Sequence, residues 1–490
     1  MPIRGRLGIA LLICAAACDK TVTAPPLAFD LGPSAPTLFR GSTIRLDPAA
    51  MTGGAVAPGS FKWSSSDTTT VVVDATGLIT GRNVGSATIR ALNSDGYGEA
   101  KVTVIEGGST LRETWQTGCG ISQTDNALYC WGRNIEGQVG IGNEVNPQPV
   151  PVKVSGNLTF TTVSPASDFT CGMTTTGPYC WGETAAYVVN DGVEPADPRS
   201  PVKVVGGEKF SRIESNGPFT GSDLGSYCLD VSCEGDTWVL TPNGEAYTWH
   251  ATTRSRPKVV IPFNPVPVAG TPRFESISAG GGVACGITPD KKAVCWGGSF
   301  YLAAGRPGTA HDIAPGTLFQ SISASLDHSC AIDISGDAYC WGGNPNGQLA
   351  GPTDESCRTR FLNTPCRASP VKVAGDYKYL AISAGTSSGA HTDSQPNSHT
   401  CGITVELDIV CWGYNAYGQL GNGTTTDSSV PIKVTTSLKF RSVAAAWNAT
   451  CAVAVDGAGY CWGGNFNGQL GNGTLANSSV PVRTSGITFK

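Results

Sequence analysis

Cysteines recur in this chain as pairs about ten residues apart: Cys119/Cys130, Cys171/Cys180, Cys285/Cys295, Cys330/Cys340, Cys401/Cys411 and Cys451/Cys461. The second cysteine of each pair is followed by Trp-Gly. Such thiols can form a disulfide, share a metal or stay reduced in a core. The clearest unit reads His328-Ser329-Cys330-Ala331-Ile332, then Ser335-Gly336-Asp337, then Tyr339-Cys340-Trp341-Gly342. Cys330 and Cys340 are symmetric about Ser335, so a hairpin turning there sets them face to face. Opposed residues at non-hydrogen-bonded positions of an antiparallel pair lie about 4.5 Å apart at Cα, near the lower end of disulfide range. The pairs 119/130 and 171/180 differ by one residue each, which a changed turn or a bulge can absorb. Zinc wants four ligands at short spacing, often with His, whereas these pairs are isolated in a chain with 5 histidines. Free thiols pack well in cores, but recurrence in facing pairs favours disulfides in an exported chain. No metal or cofactor is expected. Cys228/Cys233 and Cys357/Cys366 stand inside longer insertions and read as private staples of those loops.

The elements that must hold these pairs are short strands. Phe319 to Ala324 alternates apolar and small polar residues, as a half-buried strand does. Residues 329–334 and 338–342 are two more such runs, joined by Ser-Gly-Asp turn chemistry, and Pro370-Val371-Lys372-Val373 makes a fourth. Three meandering strands and a returning fourth make one propeller blade. The unit occurs seven times at a period of roughly 45–70 residues, the odd copy being Trp238…Tyr247-Thr248-Trp249, where both cysteines are replaced. The recurring Trp131, Trp181, Trp296, Trp341, Trp412 and Trp462 read as packing between blades, since each buries a large apolar area.

The segments Trp341-Gly342-Gly343-Asn344-Pro345-Asn346-Gly347-Gln348-Leu349, Trp412 to Thr424 and Trp462 to Thr474 resemble the repeat of the regulator of chromosome condensation family. So do Ser323-Ala324 before His328-Ser329-Cys330-Ala331 and the closing Ser429-Val430-Pro431. The resemblance covers about residues 109–490 and implies an all-β, seven-bladed propeller. Copies three and four depart from the pattern in lacking Gly-Gln-Leu-Gly, and copy one keeps it as Gly137-Gln138-Val139-Gly140. The founding eukaryotic member exchanges nucleotide on a nuclear GTPase and touches chromatin. That activity is not expected here, because the chain reads as exported, has a formal net charge of −5 and shows no phosphate-neutralising patch for nucleic acid. Bacterial members look like secreted or surface binding scaffolds.

At the amino terminus Arg4 and Arg6 precede an apolar run from Leu7 to Ala17, the pattern of a signal peptide over residues 1–17. Its end, Ala15-Ala16-Ala17-Cys18, resembles a bacterial lipobox, with Ala15 in place of the usual Leu. Cleavage there leaves Cys18 as a lipid-bearing first residue. Ordinary secretion after Ala17 is the alternative. Residues 18–36 read as a tether. Residues 37–106 then carry Phe61-Lys62-Trp63-Ser64, Val71-Val72-Val73-Asp74-Ala75-Thr76-Gly77-Leu78-Ile79-Thr80-Gly81 and Gly85 to Ala91, short strands between Gly and Asp turns. They resemble bacterial Ig-like domains, β-sandwiches, with Gly107-Gly108-Ser109 as the junction.

Catalytic motifs do not emerge. No Gly-x-Ser-x-Gly elbow, phosphate loop or His-Glu-x-x-His is present. His328 and His399 occupy the same repeat position, while His391 and His399 share an insertion with Asp393 that reads as a solvated loop. Innermost strands such as Ile277-Ser278-Ala279-Gly280, Ile322-Ser323-Ala324 and Ile382-Ser383-Ala384-Gly385 offer no acids to a channel hydrolase or lyase. The long insertions, 183–199, 214–236, 351–369 and 386–398, all fall between first and second or third and fourth strands, which places them on one face in two neighbouring pairs. They should form two walls flanking a groove. The expected function is therefore non-enzymatic: an envelope lipoprotein, at the outer membrane or cell surface rather than the cytoplasmic membrane. It would bind a protein or glycan through the propeller, with the Ig-like domain as a spacer. A propeller hydrolase or lyase, and guanine-nucleotide exchange by family analogy, are the alternatives.

Overall fold

The computed structural model describes residues 27–49, 61–94, 96–107, 111–114, 116–182, 197–204, 210–215, 235–251, 266–268, 270–280, 283–297, 310–353, 355–358, 363–385 and 397–490. Among the described residues regular structure is all strand, and no helix is long and apolar enough to cross a membrane. Cys18, Cys228, Cys233, His391 and most of the four insertions lie outside the described residues.

The amino-terminal domain is built on one long hairpin. Gly85–Leu92 and Gly96–Ile105 pair antiparallel, and their alternating burial turns Ala87, Ile89, Ala91, Val102 and Val104 to one side. Lys62–Ser65 joins one edge of this sheet. A second sheet of Thr43–Arg45, Leu78–Gly81 and Val71–Val73 adds Ile44, Ile79 and Val71 to the core. This is the sandwich expected from the alternation. The expected tether differs, because part of it is structured. Leu27–Ala28 pairs in parallel with the long strand at Gly96 and Tyr97, and Asp30–Gly32 pairs with Asp47–Ala49. These strands are two or three residues long, too short for a period, and their partners are distant in sequence.

Seven sheets follow among the described residues, one per repeat, and in all but the fifth the strands pair in chain order. The first is Arg112–Thr114, Thr117–Ile121, Leu128–Gly132 and Gln148–Lys153. The fifth carries an additional strand, because Glu355–Arg358 pairs with Asn363–Lys372 and turns part of that insertion into a hairpin. The first strand of each sheet lies beside that of the next, and the first strand of repeat seven lies beside that of repeat one. The carboxyl-terminal residues sew the same junction: Gln123 N donates to Thr488 O and Lys490 N to Ile121 O, both at 2.9 Å.

The cysteine pairs occupy directly opposed positions on second and third strands. Cys119 is bonded to Cys130, Cys171 to Cys180 and Cys285 to Cys295. Cys330 is bonded to Cys340, Cys401 to Cys411 and Cys451 to Cys461. Their Cα–Cα distances of 4.0–4.1 Å correct the separation of about 4.5 Å expected for facing residues. The longer pair Cys119–Cys130 and the shorter pair Cys171–Cys180 keep this geometry because the extra or missing residue is taken up in the turn, where Asn126 has φ 58° and Gly177 φ 115°. In repeat three, Trp238 faces Thr248 at this position. Its ring meets Trp296 of repeat four edge to face at 5.7 Å, so aromatic packing stands where a disulfide would.

The amino-terminal sandwich docks directly on repeats five and six. First strands bulge at Thr161, Gln320, Leu380 and Arg441, which re-aims these side chains. Gln320 makes a two-way clasp: Thr43 N donates to its Oε1 at 2.8 Å, and its Nε2 donates to Thr43 O at 3.0 Å. Thr43 Oγ1 donates to Ile334 O at 2.7 Å, and Thr37 N to Val405 O at 3.1 Å. Leu38 and Ile44 share one core with Leu380, Val405 and Leu407. The covered face is that of the second-to-third-strand turns, where Ile334 and Val405 lie. Gln320→Ala should therefore destabilise the full chain by about 1–2 kcal/mol, because it removes two hydrogen bonds to partly buried backbone groups of Thr43. Thr161→Ala, at the equivalent but exposed bulge of repeat two, should change stability by no more than about 0.5 kcal/mol. Urea unfolding of the two variants checks the pair.

Candidate functional site

The face opposite the Ig-like domain is organised by one repeated loop between third and fourth strands. Its first Asn is a scaffold. Asn415 Oδ1 accepts from Leu420 N at 2.9 Å, while Nδ2 donates to Thr424 O and Thr426 O at 3.1 and 2.9 Å. Asn465 does the same for Leu470, Thr474 and Ala476, and Asn134 for Val139, Asn143 and Val145. The loop glutamine curls back, so that Oε1 of Gln138, Gln348, Gln419 and Gln469 accepts the amide two residues upstream at 2.9–3.0 Å. The glycine before it has positive φ, 85° at Gly418 and 74° at Gly468. A Cβ there would come within 2.6 Å of Ser479 or 2.5 Å of Pro149 in the following repeat, so only glycine lets adjacent repeats close.

The glutamine's main-chain carbonyl then fastens the next repeat. Trp181 Nε1 donates to Gln138 O, Trp412 to Gln348 O, Trp462 to Gln419 O and, across the closing junction, Trp131 to Gln469 O, all at 2.8–2.9 Å. The same oxygens accept the hydroxyls of Thr170, Thr400 and Thr450 at 2.8–2.9 Å. Trp296 and Trp341 follow repeats three and four, which lack Gly-Gln-Leu-Gly, and their buried indole nitrogens have no hydrogen-bond partner among the described residues.

The two repeat-position histidines belong to this fastening. His328 Nε2 lies 2.8 Å from Thr400 Oγ1, and His399 Nε2 lies 2.7 Å from Thr450 Oγ1. Each threonine gives its proton to a glutamine carbonyl, so each histidine donates through Nε2. Burial pushes both imidazoles down to about 3, and neither is a free acid or base at neutral pH.

The paired cysteines take no part in the loop face. Cys130, Cys180, Cys295, Cys340, Cys411 and Cys461 lie on third strands, each one residue before its tryptophan, and all are buried. Their partners Cys119, Cys171, Cys285, Cys330, Cys401 and Cys451 are equally buried on second strands. Bonded sulfurs in that position are structural, neither nucleophiles nor metal ligands. Within the fifth-repeat insertion Cys366 is buried and disulfide-bonded, and the side chain of Cys357 lies outside the described residues. The expected groove between insertion walls also lies outside them.

The first strands of successive repeats lie side by side. Ser164, Ser278, Ser323 and Ser383 each accept a main-chain N–H from the next repeat, at Ser215, Ala324, Ala384 and Ala445, at 2.7–3.0 Å. Acids are present here, which corrects the expectation from repeats four to six: Glu113 lies on the first strand of repeat one and Glu214 on that of repeat three. Burial raises the Glu113 carboxyl well above the usual carboxylate range, and it sits against the Cys451–Cys461 sulfurs. Burial also raises Glu214, against the pull of Arg112 and then Arg212. Glu113, Cys451 and Cys461 are the one grouping of potential metal ligands among the described residues, but the sulfurs are bonded to each other and leave a single carboxyl.

Comparison with known proteins accords with this architecture. Residues 28–104 match the bacterial Ig-like domain (group 2). Residues 125–176, 409–453 and 456–490, and separately 319–348, match the regulator of chromosome condensation (RCC1) repeat. Human WBSCR16 is similar in structure at 15% identity and TM-score 0.57, over 74% of this chain and 94% of that one. Prp20p of Saccharomyces cerevisiae, studied for its binding to Gsp1p and histones, is similar at 15% identity and TM-score 0.58, over 75% and 88%. At that identity the likeness shows the propeller fold.

The fastening has a direct consequence. Trp412→Phe removes an indole bond to Gln348 and Trp341→Phe removes none. The first should cost about 1 kcal/mol more than the second in chemical denaturation; equal costs would contradict the role given to the glutamine carbonyl.

Proposed function

From a chain that carries regulator of chromosome condensation repeats behind a bacterial Ig-like domain, we propose a non-enzymatic binding scaffold of the cell envelope. It is anchored by lipid on Cys18 and takes a protein or glycan ligand on its loop face. The disulfides and the bacterial Ig-like domain point to an extracellular protein. The repeats close as a seven-bladed ring, a reading supported by the contact between the first strands of repeats seven and one and by the Trp131 bond to Gln469.

The observation that carries the proposal is the docking of the Ig-like domain on the turn-bearing face. That packing covers one side of the ring and leaves the loop face outward, away from the domain through which the chain is tethered. Preorganised loops on a rigid ring suit binding, because little conformational freedom is lost on association. A paired-carboxylate hydrolase is not favoured, because Glu113 sits against the Cys451–Cys461 disulfide with no hydrogen-bond partner among the described residues, whereas Glu214 lies under the pull of Arg112 and then Arg212. Exchange on a GTPase would rest on the likeness of fold to a protein that binds Gsp1p, and an exported chain does not meet cytosolic nucleotide.

Radiolabelled palmitate should enter the wild type and be absent from Cys18→Ala, with the variant released to the medium. A labelled variant, or a wild type that starts elsewhere and is secreted, contradicts the anchor. Immobilised full chain should retain an envelope protein or glycan; retention of neither contradicts the scaffold.

A further inference from the structure

Repeats five, six, seven and one follow one another round the ring, and the outward residues of their loops run together. Tyr414 and Tyr417 meet edge to face at 6.2 Å between ring centroids, and Tyr417 meets Phe466 of the next repeat at 5.3 Å. Phe466 is 49% exposed and both tyrosines are half-buried. Polar groups continue the line at both ends. Asn346 Nδ2 donates to Asp427 Oδ2 at 3.3 Å, and Asn467 Nδ2 donates to Gln116 Oε1 of repeat one at 2.8 Å. Under the strip, Gln348 Nε2, Gln419 Nε2 and Asn448 Nδ2 are fully buried donors without a hydrogen-bond partner. Their counterparts elsewhere are used: Gln138 Nε2 donates to Ser167 O at 3.1 Å, and Gln469 Nε2 to Asn448 Oδ1 at 3.2 Å.

We propose that the strip Asn346, Asp427, Tyr414, Tyr417, Phe466 and Asn467 binds a neutral polysaccharide. The inference rests on the scaffold reading and fixes its ligand class. Sugar rings offer apolar C–H faces to aromatic rings, and their hydroxyls pair with amides and carboxylates, the two kinds of group found here. The strip's one charged member, Asp427, is an acid, which opposes polyanions. A peptide laid along it would want free main-chain groups for pairing, but the amides of 346, 417 and 467 already serve glutamine side chains. A line across several repeats suits a chain of sugars rather than a single one.

The test is native electrophoresis of the detergent-solubilised full chain through gels containing hydroxyethyl cellulose, a soluble β-1,3-glucan or galactomannan, with polygalacturonate as the anionic counterpart. At least one neutral polymer should retard the protein. Tyr417→Ala/Phe466→Ala should weaken that retardation about tenfold or more with an unchanged melting temperature, and Val480→Ala, on the exposed fourth strand, should not weaken it. Retardation by no neutral polymer, retardation by polygalacturonate alone, or equal retardation of the double variant overturns the proposal. So does binding of a decaproline peptide at the strip where no glucan binds. A chain that captures an envelope component but ignores every neutral polymer overturns the ligand class and leaves the scaffold standing; one that captures nothing overturns both.

Discussion

One main-chain oxygen per loop holds neighbouring repeats together. The carbonyl of Gln138, Gln348, Gln419 or Gln469 has two lone pairs, and in three of the four loops an indole N–H and a threonine hydroxyl from the next repeat fill both. At the closing junction only the Trp131 indole is bonded, since Gly118 replaces the threonine. In a buried setting such bonds are strong, and an unmade one is costly. The rest of the loop serves to aim that oxygen: the Asn sets the curve, the glycine lets the next repeat approach, and the Gln side chain locks the turn. Threonine in turn dictates the tautomer of His328 and His399, so two groups that look like chemistry in the sequence are spent on assembly.

Disulfides act at a different level. Each ties the second strand to the third within a repeat, closing a loop of about ten residues, worth roughly 2–3 kcal/mol in the chain-entropy model. They make each sheet robust but do nothing between sheets. At the junction of repeats three and four the link is aromatic: Trp238 meets Trp296 edge to face at 5.7 Å.

Local, periodic features were readable from the sequence. Alternation gave the strands, symmetry about Ser335 set Cys330 against Cys340, and recurrence of Trp-Gly pointed to packing between repeats. Long-range features were not readable. Nothing in Leu27–Ala28 announces a parallel partner near residue 96, and nothing in Gln320 announces a clasp with Thr43 across 277 positions. Glu113 and Glu214 stand on the first strands of repeats one and three, whose residues differ from the Ile-Ser-Ala of repeats four to six, so the pattern of those three repeats does not reach them. The aromatic strip could have been found by aligning loop positions: Tyr417 and Asn467 share one position, and Ala416 and Phe466 the position before it.

Docking of the Ig-like domain on one face and fastened loops on the other make the molecule two-sided, and the fastening is the more basic claim. Native-state hydrogen exchange along the second strands tests it directly. Amides of Ala449–Ala454 and Thr117–Ile121, at fastened junctions, should open with free energies near that of global unfolding. Those of Gly235–Leu240 and Val283–Ile287, beside the junctions without a glutamine carbonyl, should open first. If the junction of repeats seven and one opens before that of repeats three and four, the carbonyl fastener does not hold the ring.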